Sequence, residues 1–239
     1  MDCFNSKFAL QVRTQPDFPA ISEDKTQLTY AELDSVIDTI AAQVAAHSPG
    51  TGRLIGYLGL SLALRTAAFV GVVKAGHGFV ILNPKNTVDV LAGTASHAGL
   101  DAIIVDCAET AKIAAELNYP VLSIDNVIAR ADDAIPFAPV AADPNDIAYI
   151  VYISGSTDRP KGVAITRAAL NHEINLEIRV SKIDGTDRGA MLGQIWPECF
   201  FAGLKVGATF ECFDFGKHGA VPMADWVRKR QVTHIAAYP

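Results

Sequence analysis

The sequence predicts an α/β fold with a mostly parallel sheet and helices on its faces. Three observations carry this. Short apolar runs bounded by turn residues recur along the chain. Amphipathic or apolar stretches of helical period separate them. The intervals of about 10–15 residues suit crossover helices rather than tight hairpins.

The clearest helix is expected over Leu28–Ala46. Thr29 and Glu32 have the spacing of a capping box, and Leu33, Val36, Ile37, Ile40, Ala41 and Val44 repeat at three and four to make one apolar stripe. Pro49, Gly50 and Gly52 end it. Leu54–Leu58 reads as a strand. Ser61 caps a mostly apolar, interior helix that runs to Ala75 and stops at Gly76. Phe79–Leu82 is a strand closed by Asn83-Pro84. A helix starts at Thr87 and ends near His97 and Gly99. Ala102–Val105 reads as a strand, Ala108–Leu117 as a helix and Val121–Ile124 as a strand.

Ile128–Asp146 breaks the rhythm. Pro136, Pro139 and Pro144 lie among Ala and Asp, as in a surface connector. Beyond it, Tyr149–Ile153 is β-branched or aromatic and reads as a buried strand. Thr166 caps a helix to about Val180, and Ser181–Gly189 is a polar connector. A helical stretch at Pro197–Val206, a strand at Thr209–Phe213, a short helix at Met223–Lys229 and a strand at His234–Tyr238 complete the chain.

Composition narrows the function. Of 239 residues, 50% are hydrophobic and 19% charged, enough apolar content for a sizeable core. The net charge of −6 and the lack of a basic stripe with interleaved aromatics argue against nucleic acid or an anionic membrane surface as partner. Leu54–Val73 carries a single charge, Arg65 near its middle, and reads as a buried strand and helix rather than a membrane span. Cys3, Cys107, Cys199 and Cys212 are scattered, with no metal-ligand spacing; they suit buried thiols in a reducing compartment. No apolar leader opens the chain, so a cytoplasmic location is expected. The six histidines, His47, His77, His97, His172, His218 and His234, form no pair at i, i+4 and are expected at surface or satisfied positions.

The chemistry concentrates in Ser154-Gly155-Ser156-Thr157-Asp158-Arg159-Pro160-Lys161-Gly162, between the strand at Tyr149–Ile153 and the apolar Val163–Ile165. Converging backbone N–H groups, hydroxyls and one ammonium suit a polyphosphate. Gly162 is expected to let the chain leave at an unusual dihedral. The spacing is not that of a G-x-x-x-x-G-K-[ST] P-loop. The same residues also suit an ordinary solvated strand–strand turn.

The full string S-G-S-T-x-x-P-K-G-V after Y-x-x-Y-x resembles the phosphate-binding signature of the adenylate-forming superfamily of acyl-CoA synthetases, luciferases and nonribosomal peptide synthetase adenylation domains. Leu28-Thr29-Tyr30-Ala31-Glu32-Leu33 is similar to an early L-T-Y-x-E-L segment of that family. The stretch from Val73 to Pro84 is similar to its L-K-A-G-x-x-Y-V-P-L-D-P segment. All three occur in the family's order, so residues 1–239 are expected to form the N-terminal region of an AMP-binding adenylation domain.

The resemblance implies a function. A carboxylic or amino acid attacks the α-phosphorus of ATP, giving an acyl-adenylate and pyrophosphate, and a thiol of CoA or phosphopantetheine takes the acyl group. Carried over residue by residue, Ser154, Gly155, Ser156, Thr157, Lys161 and Gly162 would hold the β- and γ-phosphates. No catalytic residue and no metal ligand is assigned within the chain. The Mg2+ ligands, the adenine and ribose contacts and a lid with its catalytic lysine are expected in sequence beyond Pro239. Residues 1–239 alone are therefore expected to be inactive, with a carrier protein or a chain supplying a C-terminal half as the expected protein partner.

Four departures stand out. Asp158 replaces a usual glycine, and its carboxylate would oppose a triphosphate by about 1 kcal/mol at ~4 Å in water. Ile153 replaces a threonine. Arg167 stands where a histidine is common. The family's aromatic–Asp pair, which in peptide synthetases holds the substrate amine, is missing ahead of Gly207-Ala208, where Glu198 and Phe200 mark the expected helix and Trp196 could line an acid pocket. An alternative is thus a degenerate, non-catalytic adenylation-like binding or interaction module.

Overall fold

The computed structural model describes residues 2–129, 134–153, 161–192 and 197–235. It divides into two compact units, Ser35–Ala168 and Met1–Asp34 with Ala169–Pro239.

The Ser35–Ala168 unit holds a six-stranded sheet. Its strands are β3 (Leu54–Leu58), β4 (Gly78–Leu82), β5 (Ala102–Val105), β6 (Val121–Ser123), β7 (Ile147–Ile153) and β8 (Lys161–Thr166). The order is β6-β5-β3-β4-β7-β8. Every pairing is parallel except β7 with β8, an antiparallel edge pair. Helices cover both faces, so the strands are apolar on both sides rather than alternating. On one face Phe69, from α3 (Leu62–Lys74), packs against Tyr149 of β7 with ring centroids 5.5 Å apart. On the other, Leu91 and Ala95 of α4 (Val88–Ala98) join Leu58, Val80, Leu82, Ile103 and Val105 in one cluster, with Ile150 and Tyr152 packed against it.

Capping explains some of the helix boundaries. Ser61 accepts from the Leu64 N–H at 3.0 Å. Gly76 has φ +90, a left-handed conformation that a residue with Cβ adopts only under strain, and it turns the chain from α3 into β4. Thr87 occupies the N-cap of α4 but makes no side-chain cap bond. Asp106, at the end of β5, accepts from Tyr57 Oη at 2.9 Å and from the Leu60 and Ser61 N–H groups at 2.7 Å each. Those amides precede α3 and would otherwise be orphan donors.

The proline-rich connector is tied down in its described part. The Phe137 N–H donates to Asp38 at 2.9 Å, and Asp38 is ion-paired with Lys74. The Val140 N–H donates to the Lys74 carbonyl at 2.9 Å.

The other unit holds a five-stranded sheet made of β1 (Pro19–Glu23), β2 (Thr26–Thr29), β9 (Arg188–Met191), β10 (Thr209–Cys212) and β11 (His234–Ile235). The order is β11-β9-β10-β1-β2, parallel throughout except for the β1–β2 hairpin. Helix α1 (Asp2–Thr14) packs on α7 (Pro197–Val206), with Phe4 and Phe201 edge to face at 4.7 Å. Tyr30, fully buried, donates its hydroxyl to the Ala208 carbonyl at 2.7 Å, and burial raises its pKa.

The chain passes between the units within α2 (Tyr30–His47) and α6 (Arg167–Ser181). The capping box at the start of α2 forms as expected. The Thr29 N–H donates to Glu32 Oε2 at 2.7 Å, and the Glu32 N–H to Thr29 Oγ1 at 3.3 Å. The helix starts later than expected, because Leu28 and Thr29 belong to β2. The expected polar connector Ser181–Gly189 ends in β9, whose short Arg-Gly-Ala-Met strand carries no β-branched signal. Among the described residues, no helix is long and apolar enough to cross a membrane.

Candidate functional site

The sequence signature sits at the C-terminal end of a parallel strand, on the edge where open α/β sheets place their ligands. Strand β7 enters it, β8 leaves it, and the last register pair before the turn is Ile153 with Lys161. Ser154, Gly155, Ser156 and Thr157 lie outside the described residues, as do Asp158, Arg159, Pro160 and Trp196. Lys161 and Gly162 are described. Lys161 is the first residue of β8 and is exposed, and among the described residues no carboxylate is paired with it.

Gly162 departs from its expectation. It lies within β8 opposite Tyr152 and is not among the positive-φ glycines. The reason for glycine is close approach. A Cβ there would come 3.1 Å from Ile150 Cγ2 and 3.2 Å from Tyr152 Cζ. Ile150 and Tyr152 share one face of β7 by its period of two, and both lean over Gly162.

Each arm of this hairpin has an anchor that the sequence did not reveal. On the β7 arm, Tyr152 Oη lies 2.9 Å from His97 Nδ1, with the rings edge to face at 5.8 Å. Burial raises the Tyr152 pKa, so the phenol stays protonated at neutral pH. On the β8 arm, Arg167 follows directly and is only 4% exposed. Its Nη2 donates to the Val73 carbonyl at 2.7 Å and its Nη1 to the His77 carbonyl at 3.4 Å. The guanidinium thereby binds one carbonyl in the last turn of α3, at the negative end of the helix dipole, and one in the segment that leads to β4.

His77 is fully buried beside Arg167. Its Nε2 lies 2.9 Å from the Ser48 carbonyl, an atom that can only accept, so Nε2 carries the proton. Nδ1 accepts from the Arg53 N–H at 3.3 Å. Both nitrogens are thus satisfied in the neutral ring. Burial lowers the His77 pKa, opposed by the Ser48 hydrogen bond and Asp101 and reinforced by Arg167 and Arg53. His77 and Arg167 could have been suspected only from their place beside two sequence motifs.

The other unit contains a half-buried polar group. Glu198 opens α7, where the expected helix stands. Its Oε2 is buried and has no hydrogen-bond partner among the described residues. Burial raises its pKa, and Glu173 and Glu177 raise it further. Burial, with Glu177 and Glu198 nearby, also pushes the neighbouring Cys199 thiol up to about 12. Among the described residues, no group of three or more His, Cys, Asp or Glu could hold a metal ion.

Comparison with known proteins identifies the family. A family model described as AMP-binding enzyme covers residues 8–239. The chain is 31% identical to glycine betaine reductase ATRR of Emericella nidulans over 97% of its own length and 18% of that protein. It is 26% identical to phenyloxazoline synthase MbtB of Mycobacterium tuberculosis over 96% of its length and 15% of that protein. The chain therefore spans less than a fifth of either relative. In fold it is similar to VinN in complex with L-aspartate, with a TM-score of 0.84 and 21% identity over 97% of this chain and 61% of that one.

Proposed function

From the premise that the chain belongs to the AMP-binding enzyme family, we propose that it is the N-terminal part of an adenylate-forming enzyme. In this reading a carboxylic or amino acid is activated with ATP to an acyl-adenylate and then transferred to a thiol of CoA or phosphopantetheine. Ser154, Gly155, Ser156, Thr157, Lys161 and Gly162 hold the β- and γ-phosphates. The substrate carboxylate oxygen forms a bond to the α-phosphorus, and the bond from that phosphorus to the bridging oxygen breaks. Charge then grows on the departing pyrophosphate, and the Lys161 ammonium offsets it. The thiol later attacks the acyl carbon and AMP leaves. The described residues offer no cluster for the Mg2+ that accompanies ATP, and no metal role is assigned to them.

The observation that supports this reading most is the exposed Lys161, which has no carboxylate partner among the described residues and stands at the start of β8, beside the C-terminal end of β7. A cation so placed is available to a ligand. Titration of the chain with magnesium pyrophosphate tests the assignment. Lys161→Ala is expected to weaken binding by about tenfold, the scale of one charge-assisted contact. Unchanged affinity would remove Lys161 from the site. Carboxylate-dependent ATP–pyrophosphate exchange, in a protein completed by the missing portion, tests the reaction itself.

Asp158 favours a second reading, a degenerate module that keeps the fold without the chemistry, because its carboxylate opposes a triphosphate. Exchange activity with any carboxylic acid in the completed protein would exclude that reading.

A further inference from the structure

We propose that the pocket at the C-terminal end of β10 binds a small, neutral, planar ring whose edge carries an amide-like group, one that both donates and accepts hydrogen bonds. The site shares no residue with the phosphate assignment and stands independently of it.

Local structure builds the pocket. Beyond β10 comes Phe213, whose N–H donates to the Met191 carbonyl at 2.8 Å. Asp214 then caps α8 (Phe215–His218) by accepting from the Lys217 N–H at 3.1 Å, and Gly219, with φ +71, ends that helix. Helix α9 (Met223–Arg230) follows. The Asp24-Lys25 turn between β1 and β2 supplies Asp24, with φ 51. Asp24, Phe213, His218, Trp226 and Arg230 line a cavity of about 230 Å³. All five belong to the unit of the five-stranded sheet.

The walls select the ligand. They are aromatic: Phe213 is buried, and the rings of His218 and Trp226 lie 5.4 and 4.9 Å from it between centroids. Tilts of 37° and 46° keep these rings from stacking flat on one another, which leaves faces for an inserted ring. The charges of the wall are already paired. Asp24 Oδ2 accepts from Lys217 at 3.2 Å, and Arg230 pairs with the buried Glu211 at 3.3 Å. An ionic ligand would find no unpaired opposite charge there. The remaining hydrogen-bonding groups are of both kinds. Among the described residues, Asp24 Oδ1 accepts no hydrogen bond, with His218 Nε2 3.8 Å away, and the Trp226 indole N–H has no acceptor. The volume falls below the roughly 300–1,000 Å³ of sites for drug-sized molecules, so one ring and a substituent fill it.

The alternative is a crease left where α8 and α9 pack incompletely, since no residue of either helix is buried. Such a crease offers wet aromatic surface to any ring of the right size, because apolar burial is non-directional. Selectivity among rings of one shape separates the two.

A matched series of pyridines supplies the probes: nicotinamide, neutral with the amide; methyl nicotinate, neutral without an N–H; nicotinate, an anion; and 3-(aminomethyl)pyridine, a cation. Each is titrated at neutral pH into the 239-residue chain. The amide signals of Asp24, Phe213 and Trp226 and the Trp226 indole signal are followed by 15N NMR. Nicotinamide is expected to shift them saturably. Methyl nicotinate is expected to bind about fivefold more weakly, the factor of one lost hydrogen bond. Both ions should be weaker still, since they surrender hydration without finding an unpaired opposite charge. Trp226→Ala should weaken nicotinamide about tenfold through loss of a stacking face. Asp24→Asn should weaken it about fivefold while keeping the turn, because Asn tolerates positive φ. Methyl nicotinate, with no hydrogen to give that carboxylate, should be indifferent to Asp24→Asn. Equal affinity for all four rings would reduce the pocket to an apolar crease and overturn the proposal. So would tighter binding of either ion, or nicotinamide shifts that fail to saturate. Should Trp226→Ala melt early, Asp24→Asn, on its exposed turn, decides the matter.

Discussion

Two polar centres of this molecule, one buried and one half-buried, contrast sharply. Around Arg167 and His77, each ring nitrogen of His77 faces a partner and the guanidinium caps two carbonyls. Around Glu198 and Cys199, a buried carboxylate oxygen has no partner among the described residues, and two further glutamates oppose it. The first centre is built to be stable in one protonation state. The second leaves electrostatic free energy unrecovered. A satisfied buried group specifies geometry, whereas an unsatisfied one is strained by its own charge.

The largest expected effect comes from breaking the satisfied centre. Arg167→Ala removes the guanidinium donors, leaving the buried His77 carbonyl without their contact and the Val73 carbonyl with the Gly76 N–H alone. It should cost about 2–4 kcal/mol, read by denaturant unfolding. Arg167→Lys supplies one donor where two are used and should recover only part. Full stability of the alanine variant would mean that water replaces the guanidinium.

The two centres should also respond to pH in opposite directions, which sharpens the contrast. The His77 pKa is lowered in the folded state from 6.5. Its contribution to stability is therefore present above 6.5 and is lost as pH falls towards the lower folded value. His77→Gln should flatten that acid limb. The Glu198 pKa is raised from 4.5, so its contribution is present below 4.5 and is lost as pH rises through the folded value. Glu198→Gln should be more stable than wild type at neutral pH by about 0.5 kcal/mol, with no advantage in acid. Melting temperature against pH for wild type and both variants reads the two slopes together. Parallel slopes would remove the distinction.

A further effect is kinetic. With its thiol pushed up to about 12, Cys199 is almost wholly protonated at pH 8. Alkylation of native protein at that position should be slower than in the unfolded chain by about a hundredfold, read by mass spectrometry of the labelled peptide. Labelling at equal rates would mean that the charges around Glu198 are screened by water.

Much of the fold was legible because local signals agreed with the tertiary result. The Thr29–Glu32 capping box, the Ser61 cap, the Gly76 stop and the apolar runs at β3, β4 and β5 all appear where their residues predict them. Elements held mainly by their neighbours were not legible. Helix α1 is more polar on average than α2, and β9 is a strand because β10 and β11 flank it. The candidate site divides in the same way. The turn announced itself through Ser, Gly and Lys at fixed spacing. Its supports, His97 and Arg167, are single residues 55 and 90 positions from the groups they bond, Tyr152 and His77.

The sequence by itself determined the order of strands and helices from α2 to β7, several of their caps and the place of the hydroxyl-rich segment along the chain, because these depend on contacts within about one helical turn or one strand. Only the tertiary structure decided that the strands form two sheets, that Gly162 serves close approach rather than an unusual dihedral, and that Arg167 and His77 share a satisfied centre. Those outcomes depend on which distant groups meet in space, and burial makes each unmet polar group costly enough to select among the possible meetings.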